Sequence, residues 1–141
     1  MDEMEPALAK GRLRSYALHA YRASMADHLV LKLKIQLLCG DEIAMGPGKA
    51  DLLDAIQQHG SISAAGRALG MSYRRTWLLV DAMNRCWNER LVETIAGGGK
   101  ERGAKVTDNG QKILAAYREI QASALKAVDG DAYRELSGKV R

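Results

Sequence analysis

Between residues 72 and 88 the apolar positions recur at helical spacing, with Thr76, Leu79, Val80, Met83, Cys86 and Trp87 on one side and Arg74, Asp81 and Arg85 on the other. That pattern predicts an amphipathic helix with one buried stripe. Just before it, residues 61–70 carry a shorter helical pattern that stops at Gly70. A glycine there can take the left-handed conformation that a sharp helix end needs. Ser61 or Ser63 suits the N-cap of the first helix, and Ser72 that of the second. With Gly70 as the turn residue, Ala65, Leu69, Met71, Thr76 and Leu79 face inward, whereas Ser72, Tyr73, Arg74, Leu78 and Asp81 face outward. The segment is predicted to be a helix-turn-helix whose outward face suits a DNA major groove.

The remaining pattern frames this motif. Residues 7–27 are weakly compatible with a helix, and residues 28–37 alternate towards their end as a half-buried strand does. Gly40-Asp41 and Gly46-Pro47-Gly48 bound a second short extended piece. After Pro47 a helix with Leu52, Leu53 and Ile56 on one face runs to His59 and is stopped by Gly60. Two short strands, residues 91–95 and 104–106, flank the glycine-rich basic stretch 97–103 and predict a β-hairpin. A last long helix is expected from Thr107 or Asp108 to about Val128, with Gly130-Asp131 separating a short helical piece at the end.

Composition adds a bias in partner. The 141 residues carry a net charge of +4, which favours an acidic partner such as nucleic acid. Residues 61–88 hold Arg67, Arg74, Arg75 and Arg85 against Asp81 alone, a local +3, so the basic excess coincides with the helix-turn-helix. Cys39 and Cys86 are too few and too far apart in sequence for a metal knuckle or a disulfide framework, and both are expected to be reduced. No ligand spacing links them to His19, His28 or His59, so no metal or other cofactor is expected. No apolar run reaches the roughly 18–20 residues of a membrane span, and no cleavable leader is visible, so a cytoplasmic protein is expected. Gly97-Gly98-Gly99-Lys100 lacks the Gly-Lys-Ser/Thr ending of a phosphate loop. With no nucleophile beside a base and no paired carboxylates in a glycine-rich cleft, catalysis is not expected.

Three helices followed by a hairpin make a winged helix-turn-helix, and the details resemble one family. Gly60-Ser61-Ile62-Ser63, Gly70-Met71-Ser72-Tyr73-Arg74, Trp77, Asp81-Ala82-Met83-Asn84, Leu91-Val92-Glu93, Gly97-Gly98-Gly99-Lys100 and Gly110-Gln111 together resemble the N-terminal DNA-binding domain of the ModE family, the molybdate-responsive bacterial transcription regulators. The resemblance spans roughly residues 29–121. It implies a mainly α fold with a small β-hairpin wing, that is, a winged helix-turn-helix with a helical dimerisation extension. Residues 1–28 are then an N-terminal extension, 29–106 the DNA-binding domain and 107–141 the C-terminal helical part. The family dimerises through its helical terminal parts, for which Ile113, Leu114, Tyr117, Ile120 and Leu125 are available here. In full-length regulators a pair of small β domains that bind molybdate follows; this sequence ends at Arg141, and no molybdate site is expected in it. The family wing is nearly all glycine after its lysine, whereas here Glu101-Arg102-Gly103 follows.

The expected DNA-binding residues are Ser61, Ser63, Ser72, Tyr73, Arg74, Arg75, Lys100, Arg102 and Lys105. Arginine at the start of such a helix suits bidentate guanine and phosphate contacts. Arg85 is expected to pair with Asp81 four residues earlier, and Trp77 and Trp87 are read as core. The expected function is a homodimeric regulator of transcription that reads an approximate palindrome in duplex DNA. The alternative is a winged-helix protein-interaction module without specific DNA binding.

Overall fold

A computed structural model of the chain describes residues 20–21, 29–96 and 102–141. The described residues divide into two compact units, one within Ile35–Tyr117 and a second holding residues 20–21, 29–34 and Arg118–Arg141.

In the first unit, β3 (Leu37–Cys39) and β4 (Glu42–Met45) form an antiparallel hairpin, with a register shift between Leu37 and Leu38. Three helices follow: α1 (Pro47–His59), α2 (Ile62–Ala68) and α3 (Tyr73–Cys86). A second hairpin pairs β5 (Val92–Ile95) with β6 (Gly103–Val106), Val92 opposite Val106 and Glu93 opposite Lys105. The long helix α4 (Asp108–Ala127) begins in this unit, where Thr107 Oγ1 accepts from the amide of Gly110 at 3.0 Å.

The core is built from the faces that the periodicity marks. Leu52, Leu53 and Ile56 of α1 are fully buried and pack with Met45, Ala65, Val80, Met83, Leu91, Val92 and Val106. Leu114 and Tyr117 of α4 belong to the same cluster, and the Tyr117 hydroxyl donates to the carbonyl of Ile35 at 2.7 Å. The second hairpin is tied in by its backbone, since the amide of Ala104 donates to Gly60 O at 2.8 Å and that of Thr107 to Leu91 O at 2.9 Å.

The second unit holds β1 (Ala20–Tyr21) antiparallel to β2 (Leu31–Lys32), the C-terminal part of α4 and α5 (Asp131–Ser137). The helix expected over residues 7–27 lies outside the described residues except at Ala20–Tyr21, which are extended and paired instead. The strand expected over 28–37 is interrupted: from Leu29 to Gln36 half-buried and exposed positions alternate, but only Leu31–Lys32 and Leu37–Cys39 find strand partners. Among the described residues no helix is long and apolar enough to cross a membrane.

Candidate nucleic-acid interface

The geometry between α2 and α3 follows from a few small residues. Ser61 caps α2, its Oγ accepting from the Ala64 amide at 3.0 Å. The helix ends on Gly70 at φ 70°, with Gly70 N donating to Arg67 O at 3.0 Å and Met71 N to Gly66 O at 2.8 Å. These two bonds satisfy the last carbonyls of the helix and turn the chain sharply. Ser72 then caps α3, accepting from the Arg75 amide at 3.1 Å, while its carbonyl accepts from Thr76 Oγ1 at 2.8 Å. Thr76 is buried against Gly66, where an added Cβ would come within 2.1 Å of Thr76 Oγ1, so the two helices approach as closely as a missing side chain allows.

This arrangement presents Ser72, Tyr73, Arg74 and Arg75 on one exposed turn. Among the described residues neither Arg74 nor Arg75 is in an ion pair. Tyr73 is 69% exposed, and its ring lies 6.0 Å from that of Trp77, tilted by 58°. Ser63, Tyr73 and Arg102 meet around one cleft, together with Arg67, Trp77 and Thr94. Periodicity alone did not mark those last three, although Arg67 falls one helical turn after Ser63. Lys105 is exposed on β6 and faces Glu93 across the hairpin at 3.9 Å. Lys100 lies outside the described residues.

Two expectations change. Ser61 is buried and its hydroxyl serves the cap, which takes it off the exposed surface. Arg85 pairs with Glu42 of β4 at 2.5 Å rather than with Asp81, because the β3–β4 hairpin brings a carboxylate to the C-terminal end of α3. Trp87 keeps its core role, its Nε1 donating to Ala44 O at 3.2 Å. Trp77 packs against the core but also lines the cleft, and its Nε1 is buried without a hydrogen-bond partner.

The cationic character of α3 is therefore uneven. At its C-terminal end the Arg85 guanidinium beside Glu42 holds that carboxyl below its usual range. Burial first, and then Glu42 at 3.5 Å, push the Cys86 thiol up. The Lys49 ammonium of α1 is lowered chiefly by burial. At the N-terminal end Arg74 and Arg75 face solvent. Among the described residues no group of His, Cys, Asp or Glu could hold a metal ion, and Cys39 and Cys86 are free thiols.

No protein-family model matches the chain. Several curated proteins do. It is 36% identical over 86 residues to the "Molybdenum transport protein ModE" of Azotobacter vinelandii, covering 61% of this chain and 32% of that protein. It is 43% identical over 82 residues to the "Molybdenum-pterin-binding protein MopB" of Rhodobacter capsulatus, covering 58% of this chain and 30% of the other. Against the "DNA-binding transcriptional dual regulator ModE" of Escherichia coli (strain K12) it is 31% identical over 105 residues, 74% of this chain and 38% of that regulator. The chain thus spans about a third of the length of the relatives it matches.

Proposed function

The chain belongs to the ModE family over the stretch it shares with these regulators, and on that premise we propose that it binds duplex DNA through a winged helix-turn-helix and regulates transcription as a homodimer. The observation that carries this reading is the first turn of α3, where a serine cap presents Tyr73, Arg74 and Arg75 side by side on the surface. In a major groove that turn reaches base edges, with arginine forming two parallel bonds to a guanine. Ser63 on α2 and Arg102 and Lys105 on the hairpin supply backbone contacts on either side, and Lys100 belongs with them by its place in the sequence.

Fluorescence anisotropy on selected duplexes tests the reading. Six or more phosphate contacts per dimer lower affinity by about 10³-fold or more between 50 and 200 mM salt. Arg74→Ala then costs about 1–3 kcal/mol on the preferred site and relaxes its sequence preference. Absence of binding at low salt, or binding indifferent to salt, overturns the proposal in favour of a protein-interaction module.

A further inference from the structure

Cys39 and Cys86 stand far apart in the sequence and close together in the fold. Cys39 ends β3, and the tight turn through Gly40, at φ 60°, sets it directly opposite Glu42, the first residue of β4. Residues opposed in this way share one face of a hairpin, with their Cβ atoms about 4.5–5.5 Å apart. The Glu42 side chain reaches the last turn of α3, where one carboxylate oxygen accepts from the Arg85 guanidinium and the other from the Cys86 thiol at 3.5 Å. Both cysteines therefore flank one carboxylate, and the Cys39 thiol is also a direct hydrogen-bonding neighbour of the Cys86 thiol. Their access to solvent differs, since Cys39 is exposed and Cys86 half-buried. All of these residues lie in the Ile35–Tyr117 unit.

We propose that Cys39 and Cys86 are a peroxide-responsive thiol pair, in which Cys39 meets the oxidant and Cys86 resolves it into a disulfide between β3 and α3. The oxidant is hydrogen peroxide. The Cys39 sulfur, as its thiolate, attacks one peroxide oxygen and the O–O bond breaks; the other oxygen leaves as water with the proton that the thiol gave up, and Cys39 becomes a sulfenic acid. The Cys86 sulfur then attacks that of Cys39, so that the S–S bond forms as the S–O bond breaks. The departing hydroxide takes up the Cys86 proton, which Glu42 is placed to carry, and leaves as a second water. Two thiols are oxidised by two electrons and one peroxide is reduced to two waters. A second thiol beside an exposed one halts oxidation at a reversible disulfide, short of the irreversible sulfinic acid. The bond joins two elements already held by the Arg85–Glu42 ion pair, and it lies at the end of α3 away from Tyr73.

The test treats the purified full chain with hydrogen peroxide at near-stoichiometric dose, blocks the remaining thiols with iodoacetamide and reads intact and peptide masses. Both thiols disappear together, and the intact mass falls by about 2 Da, the two hydrogens lost when two thiols join. Digestion yields a peptide pair linked through Cys39 and Cys86, and dithiothreitol restores both thiols. In Cys86→Ser the sulfenic acid has no partner and is trapped by dimedone at Cys39, whereas Cys39→Ser leaves Cys86 open to alkylation at the same dose. The oxidised chain unfolds several degrees above the reduced one, because the link closes a long loop in the unfolded state. Retention of both thiols, a sulfinic acid at Cys39 with Cys86 still free, or a disulfide joining two chains overturns the pair. An oxidised chain that unfolds no higher than the reduced one overturns the native arrangement of β3 and α3 as its basis.

Discussion

Gly66 and Thr76 set how near α2 comes to α3. In Gly66→Ala the new methyl would meet Thr76 Oγ1 at 2.1 Å and Cγ2 at 2.8 Å. Alanine is the better helix former, yet overpacking of this kind costs about 1–3 kcal/mol and outweighs the propensity gain. Thermal unfolding should show that loss, and Gly66→Ala combined with Thr76→Ala should be less destabilised than the sum of the single variants, because the two side chains clash with each other. Additive losses would mean that the contact does not limit the approach. Helical spacing alone places Thr76 inward, but it carries no distance between helices, which is why the role of Gly66 is invisible in it. Asn84 is a similar case. Its Oδ1 accepts from the amides of Leu91 and Val92 at 3.0 and 3.1 Å, and its Nδ2 donates to Val92 O at 3.1 Å. Asn84→Ala strands these partly buried backbone groups and should cost about 1–3 kcal/mol, measured by chemical denaturation.

Among the elements, α4 shows where periodicity divides and where it does not. Ile113, Leu114, Tyr117, Ile120 and Leu125 lie on one apolar register, and the sequence offers all five to a partner. Leu114 and Tyr117 are instead consumed by the core of the Ile35–Tyr117 unit, with Ile113 packed against it, whereas Ile120 is 56% exposed and Leu125 half-buried. A helical stripe says which residues share a face and not what covers each part of it. Ile120→Glu should therefore dissociate the proposed dimer in sedimentation experiments without loss of helicity, while Leu114→Ala should cost about 2–5 kcal/mol of folding stability. A dimer that survives Ile120→Glu would move its interface elsewhere. The helix boundaries and the hairpin were legible because glycines, serine caps and alternation mark them directly. The pairing of Arg85 was not, since Glu42 lies 43 residues away along the chain.

Over the whole molecule, electrostatics follow from the fold more than from the net charge. Lys49 is only 8% exposed, and burial is the first cause of its lowered pKa. A lysine whose pKa is lower folded than unfolded penalises the folded state while both forms are charged, and the penalty fades as pH rises through the folded pKa towards the unfolded value. Lys49→Met should thus be at least as stable as the parent at neutral pH, by up to about 1 kcal/mol, with the difference shrinking in alkaline solution. A clear loss at neutral pH would show that attraction to Glu42 outweighs desolvation. The same region has a kinetic corollary. The end of α3 is fastened to the β3–β4 hairpin through Trp87 and Arg85 and to β5 through Asn84. Fraying of this helix end breaks contacts to both hairpins, so its amide protons should exchange with deuterium more slowly than those of the solvent-facing turn at Tyr73.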